Sequence, residues 1–168
     1  EFVPAQFCHN YVGTLTVMTE EKIPDARSIV KDLSEFIKER ALAAPEEITP
    51  SERMIYINCY LELKNASGEQ ANALPFLEER ALPMVAEMFP SGQTYSVDEL
   101  SRFWQDAAAI YKATGQTDKN IESSIRGYNL NRAAQSPLAK AVTARHVGDT
   151  LIKANRIAEA KPYLLESR

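Results

Sequence analysis

The sequence predicts an all-α protein built from stacked antiparallel helical hairpins, about four units long, with an irregular helical bundle as the alternative. Three observations predict it. Apolar residues recur at helical spacing, as in Phe103, Trp104, Ala107, Ala108, Ile110 and Tyr111. Helix-start signals precede such stretches, and Gly or Asn follows them. No convincing pair of strands is present. The chain has 168 residues, 45% hydrophobic and 25% charged, which suits a single domain or a short solenoid of about four units.

The first unit spans approximately 2–45. Val12, Gly13 and Thr16 fit a first helix. A strand over 11–18 is its alternative, because Val and Thr are β-prone, but a lone strand would lack a partner. From Asp25 the pattern is plainly helical: Ala26, Ile29, Val30, Leu33, Phe36 and Ile37 share one face. The second unit spans approximately 49–90. Thr49-Pro50-Ser51-Glu52 supplies an N-cap, a Pro at N1 and a capping Glu. Met54, Ile55, Ile57, Tyr60, Leu61 and Leu63 make that helix apolar on most sides, so it should be central. Its partner contains an echo, Ala73-Leu74-Pro75 and Ala81-Leu82-Pro83. Pro75 is expected in a first turn and Pro83 at a kink or break, since an internal Pro forfeits a hydrogen bond.

The third unit spans approximately 96–135. Ser96-Val97-Asp98-Glu99 reads as a capping box, and Gly115 as the left-handed residue that ends the helix. A second helix starts near Thr117-Asp118 and carries Ile121, Ile125 and Tyr128. The turn of two or three residues between them forces an antiparallel pair. Ala107 and Ala108 should let the helices approach closely. The fourth unit, approximately 137–168, opens at Ser136-Pro137. Gly148 in mid-helix costs about 1 kcal/mol against Ala, which a close helix crossing would explain. Asn155 takes the turn position, and Ala160 and Leu164 line the last helix. Ala160-Lys161-Pro162-Tyr163-Leu164-Leu165 echoes Ala73-Leu74-Pro75-Phe76-Leu77-Glu78.

Trp104, Ala107, Ala108, Tyr111 and Gly115 resemble the first helix of a tetratricopeptide repeat (TPR), with its Trp, small pair, Tyr and Gly. Val147, Gly148, Leu151 and Asn155 fit the same positions, with Ala144 where Trp would stand. The likeness covers the last 70 or so residues better than the first 90, and the hairpins recur every 40 to 48 residues, roughly, rather than about 34. It implies a single TPR-like domain over 1–168. The first residue is Glu1, so the chain reads as a mature form or a fragment of a longer one.

The composition argues against several functions. The net charge is −4 and Lys and Arg do not cluster, so a nucleic-acid partner is not expected. No apolar run reaches the roughly 18 residues of a membrane span. A soluble chain of the cytoplasm or periplasm fits equally well. Phosphate-binding glycine loops, nucleophile elbows and zinc-protease motifs are missing. A zinc site would need His9, His146, Cys8 and Cys59 to converge, and Cys8 and His9 diverge by about 100° on a helix. Cys8 and Cys59 read as unpaired thiols, with a disulfide as the alternative. Glu20-Glu21, Glu46-Glu47 and Glu78-Glu79 read as solvated acids, not catalytic pairs. The reading is therefore not an enzyme, with no cofactor and no metal.

What remains is binding. The resemblance implies a concave wall formed by the first helix of each unit, where a protein or peptide partner docks. On this register the wall holds Arg102, Gln105, Asp106, Ala109 and Lys112 in the third unit. The fourth contributes Val142, Arg145, His146, Asp149 and Lys153, and the first Asn10, Tyr11 and Thr14. Asp106 stands where the carboxylate-clamp subclass of the family wants a cation, which argues against a chaperone-tail receptor. The alternative is a regulatory or sensor domain that takes a small molecule between hairpins, lined by Tyr56, Tyr60 and Trp104. Finally, Ile157, Ala160, Tyr163 and Leu164 form a stripe on the last helix that no later helix covers. A partner or a second copy, giving a homo-oligomer, is expected to cover it.

Overall fold

The computed structural model describes residues 12–14, 17, 26–90, 97–133 and 137–168. The described chain is all-helical, with 84% helix and no strand. Its helices are α1 (Ala26–Ala41), α2 (Pro50–Ala66), α3 (Gln70–Phe76), a π-helical turn (Leu77–Ala81), α4 (Leu82–Met88), α5 (Val97–Ala113), α6 (Thr117–Ala133), α7 (Pro137–Lys153) and α8 (Ile157–Glu166). They divide into two compact units, Glu1–Tyr95 and Ser96–Arg168. Ser96, Ser136, Cys8, His9, Asn10 and Tyr11 lie outside the described residues. Residues 12–14 and 17 are helical, in line with the helical reading of that stretch.

One local device recurs in the chain. Helices α2, α5 and α7 are each 17 residues long. Each is closed by a residue with positive φ: Gly68 at 75°, Gly115 at 75° and Asn155 at 59°. At each, two bonds complete the Schellman pattern. For Gly115 they are Gln116 N to Tyr111 O, 2.8 Å, and Gly115 N to Lys112 O, 3.3 Å. For Asn155 they are Arg156 N to Leu151 O, 2.8 Å, and Asn155 N to Ile152 O, 2.9 Å. Left-handed backbone clashes with a Cβ, so Gly or Asn is needed at this point. The next helix starts after three residues, at Gln70, Thr117 and Ile157. In this register Pro75 matches Pro162, Ala73 matches Ala160, and Phe76 matches Tyr163, so the sequence echo marks structurally equivalent positions. Both alanines are fully buried, and both rings make edge-on pairs, Tyr60–Phe76 at 4.6 Å and Tyr128–Tyr163 at 5.1 Å.

In the first unit, α2 is central as expected, with ten buried residues around most of its circumference. Its capping box is complete: Glu52 N donates to Thr49 Oγ1 at 3.2 Å, and Thr49 N donates to Glu52 Oε2 at 2.9 Å. Arg53 locks α1 to α2. Its guanidinium donates to the carbonyls of Ala41 (3.0 Å) and Ala43 (2.7 Å), placing a cation on the negative end of α1. The buried face of α1 is rotated from the predicted one. Ile29 is exposed, whereas Ser34 is fully buried, its hydroxyl satisfied by Lys31 O at 2.9 Å.

Two prolines depart from expectation. Pro75 lies inside α3 rather than in its first turn, and Pro83 sits at the start of α4 without breaking the path. Between them the helix widens, and Leu82 N donates five residues back, to Leu77 O. The wider turn accommodates Pro83, whose ring would crowd the carbonyl four residues before it. It also serves packing. Ala73, Leu77, Ala81 and Val85 are all buried at intervals of four residues. In an unbroken α-helix that spacing drifts about 40° per step. The π turn absorbs the drift and keeps them on one side.

In the second unit, α6 packs against both α5 and α7, and α8 against α7. Ala107 and Ala108 are buried at the crossing, as predicted. Gly127 on α6 brings the helices together as well: a Cβ there would lie 3.5 Å from both Ser101 O and Trp104 Cβ. Asn131 donates to Ser101 Oγ and to Gly127 O, joining α5 to α6 through buried polar groups. The core of the later hairpin comprises Ile121, Tyr128, Ala144, Val147, Leu151 and Ala160, with Tyr163 and Leu164 packed on it. The stripe on the last helix is therefore mostly covered within the unit, and only Ile157 of the four stays exposed, at 64%. Glu166 clamps the end of α8. It accepts from the Tyr128 hydroxyl and from Lys140 Nζ at 2.7 Å. Burial, then the Glu166 hydrogen bond, pushes the Tyr128 phenol up to about 12, while Lys140 and Tyr128 hold Glu166 below the usual carboxylate range.

Two stability outcomes follow from this packing. A Cβ at Gly148 would stand 2.5 Å from Leu164 Cδ2 and 2.8 Å from its Cγ. Gly148→Ala gains about 1 kcal/mol of helix propensity but overpacks the crossing by about 1–3 kcal/mol, so it should destabilise by roughly 1 kcal/mol. Leu164→Ala should then cost less in the Gly148→Ala background than in the parent, in urea unfolding. A stabilised Gly148→Ala protein would show that α7 and α8 do not cross closely here. Thr49→Ala should remove the α2 cap at a cost of about 1 kcal/mol in the same assay.

Candidate functional site

The second unit carries the candidate site. Eight of the nine residues predicted for the partner-binding wall are exposed, and the ninth, Asp106, has a carboxylate oxygen buried in the unit. Arg102, Gln105 and Lys112 are exposed on α5, and Asp106 is half-buried there. Val142, Arg145, His146, Asp149 and Lys153 are exposed on α7. Val142, His146, Asp149 and Lys153 recur at steps of three and four, so they form one stripe. The opposite side of α7, with Thr143, Ala144, Val147, Gly148, Thr150 and Leu151, is buried. In the first unit, Thr14 is exposed.

Four of the nine converge. Lys112, His146, Asp149 and Lys153 line a groove of about 220 Å³ with Thr117, Asn120, Thr150 and Ala154. The Gly115 turn delivers Lys112 from the last turn of α5 and Thr117 from the first turn of α6 to one edge. Helix α7 supplies the other. Arg102, Gln105, Asp106, Val142 and Arg145 are not among the lining residues. Gln105 donates to Ser101 Oγ at 3.1 Å, and Arg145 stands 3.7 Å from Asp149, one turn away on α7.

Thr117, Asn120, Thr150 and Ala154 were missed because only the outward faces of first helices were considered. Asn120 had a legible signal. It occupies the register position of the buried alanines Ala73 and Ala160, and a carboxamide there costs stability unless it has a polar task. Asn120 is 7% exposed, and its Oδ1 accepts from Ser124 Oγ at 3.4 Å. Its amide nitrogen donates to no acceptor among the described residues.

The charge in the groove is uneven. Lys112 and Lys153 bring two cations, and the one carboxylate, Asp149, faces Arg145. His146 is exposed by area but its ring lies among the groove walls. Partial desolvation, then the charges of Lys112 and Lys153, hold its pKa below 6.5, with Asp149 opposing. The imidazole is therefore mainly neutral near pH 7. Among the described residues, no three His, Cys, Asp or Glu side chains gather to hold a metal, and no helix is long and apolar enough to cross a membrane.

The chain has a second cavity, of about 540 Å³ in the first unit, lined by Leu42, Ile48, Arg53, Met84 and Met88 among others. Tyr56 and Tyr60, which the alternative reading placed in a small-molecule pocket, are buried core rings at 1% and 2% exposure and line neither of these cavities. Trp104 is half-buried beneath the Arg126 guanidinium, 4.5 Å from its ring centre. Cys59 is a buried core thiol.

The His146 environment sets a pH outcome. Its folded pKa is lowered, so the unfolded chain binds the proton more readily. The associated stability is present above pH 6.5 and is lost as pH falls through the folded pKa. Proton NMR titration should give His146 a pKa below 6.5, and Lys153→Ala should raise it. An unshifted His146 would mean that the groove walls do not enclose the ring. Comparison with protein-family models, with curated proteins and with solved structures found no match, so the reading of this groove rests on its own residues.

Proposed function

We propose that this chain is a non-catalytic interaction scaffold of TPR-like hairpins, which docks a peptide or a segment of a partner protein along the outward faces of α5 and α7. The observation that carries this reading is the convergence of Lys112, His146, Asp149 and Lys153, four residues of two outward stripes, on one polar groove. Behind both stripes the hairpins are packed and capped, so the exposed side chains are presented on rigid elements. Such a surface recognises a chain segment without moving its own backbone. The repeated hairpin closure at Gly68, Gly115 and Asn155 supports the repeat reading, and the 40-residue step from Val97 to Pro137 makes the repeat longer than the usual one. Of the three rings named for a small-molecule sensor, Tyr56 and Tyr60 are buried in the core of the first unit and Trp104 is half-buried, and none of them lines the groove.

The test is selection of peptides from a random library on the whole chain, followed by affinity measurement. The double variant Arg102→Glu/Arg145→Glu and the variant Lys153→Glu should each weaken selected peptides at least tenfold. Lys161→Glu, the same charge change on an exposed face of α8, should leave them unchanged. A library that yields no specific peptide, or peptides indifferent to all the α5 and α7 changes, would overturn the proposal.

A further inference from the structure

We infer that the α7 face takes an acidic, amphipathic peptide: a carboxylate side chain seated in the groove at Lys112, Lys153 and Asn120, and an apolar side chain resting on Leu138 and Val142. The inference deepens the docking reading above and rests on it. It begins with an asymmetry along one helix. Leu138 and Val142, at 76% and 59% exposure, lie four residues apart at the N-terminal half of the α7 stripe. His146, Asp149 and Lys153 continue the same stripe into the groove. One face therefore changes from apolar to cationic along its length.

Charge selects the occupant of the groove half. Lys112 and Lys153 outnumber the single acid, Asp149, whose carboxylate is 3.7 Å from Arg145. The chain as a whole carries −4, so this local excess of positive charge runs against the average. A carboxylate accepts hydrogen bonds from both ammonium groups and from the Asn120 amide nitrogen. That nitrogen belongs to a side chain only 7% exposed and donates to no other acceptor among the described residues. The Thr117 and Thr150 side chains complete the lining. A cationic occupant would meet two lysines, and a purely apolar one would strand the Asn120 amide.

Geometry sets the spacing of the peptide. From Val142 to Asp149 and Lys153 the helix advances roughly 10–16 Å at about 1.5 Å per residue. An extended peptide covers that in about three to five residues, at about 3.3 Å each. The motif is thus an apolar residue and an acidic residue separated by about four positions. The two anchors act together: apolar contact supplies affinity, and the charged pair supplies register and orientation.

The experiment uses the whole chain and a short fluorescein-labelled peptide, in a Gly-Ser background, with a Leu-Leu pair and a Glu-Glu pair about four residues apart, read by anisotropy. Binding should fall at least tenfold when the glutamates become Gln, when the leucines become Ser, or when the protein carries Lys112→Glu, Lys153→Glu or Val142→Glu. It should fall with added salt and be unchanged by Lys161→Glu. Circular dichroism confirms that each variant stays helical. Equal binding of the Gln peptide, or equal damage by Lys161→Glu and Lys153→Glu, would overturn the inference. If library peptides bind the α5 and α7 faces but the Leu-Glu peptide does not, the ligand class is wrong and the docking function stands. If nothing binds those faces, the docking function itself fails.

Discussion

The left-handed residue that closes α2, α5 and α7 is the constraint on which the rest of the structure depends. Gly68, Gly115 and Asn155 turn the chain within three residues, and the Schellman bonds serve two carbonyls of each last turn. That turn forces the next helix antiparallel and sets which of its faces meets the first. In the second unit it places Ala107 and Ala108 against α6, and Gly148 against Leu164. The outward stripes follow from the same rotation. With Ala144, Val147 and Leu151 committed to the core, Val142, His146, Asp149 and Lys153 have only the outside left. The outward stripe is here a by-product of how a hairpin is closed.

Elements with a local cause were legible in the sequence. The Thr49 cap, the Gly115 and Asn155 turns and the close approach at Gly148 depend on residues within one or two turns, and each was read correctly. Features with a distant or cumulative cause were not. Ile29 and Ser34 both fit a helix, and only contact with the rest of the first unit decides which is buried. The π turn arises from Pro83 and from a run of buried residues spaced by four, a pattern that a search tuned to the α-helical period reads as noise. Tyr56 and Tyr60 fitted both packing between helices and, in the alternative reading, a pocket lining, because aromatic residues serve both cores and pockets; they are core. The candidate site was half legible. The stripes could be read from periodicity, but which members converge depends on how α5 approaches α7. Asn120 and Thr150 were passed over because they sit at core positions.

The polar groups of the second unit are divided by depth. Ser101, Gly127 and Asn131 satisfy one another inside the α5–α6 crossing, and Glu166 gathers Tyr128 and Lys140 at its edge. These networks join the helices and fix geometry. The groove is different. Its lysines have no acid of their own beyond Asp149, and its Asn120 amide nitrogen is left pointing to no protein acceptor among the described residues. Paired groups in the crossing hold the hairpins, while the groove is lined by groups that take no part in holding them.

The π turn at Leu77–Ala81 has a consequence for the length of the chain. Its extra residue is absorbed locally, so α4 keeps the orientation it would have in an unbroken α-helix one residue shorter. Deleting one residue within the turn would leave Val85 facing the core, but would set the Pro83 ring against the carbonyl four residues before it. Deleting one anywhere else between Gln70 and Met88 would rotate everything after it by about 100° and swap buried for exposed faces. The turn is thus the one place in that helix where a change of length by one residue keeps the faces after it in register.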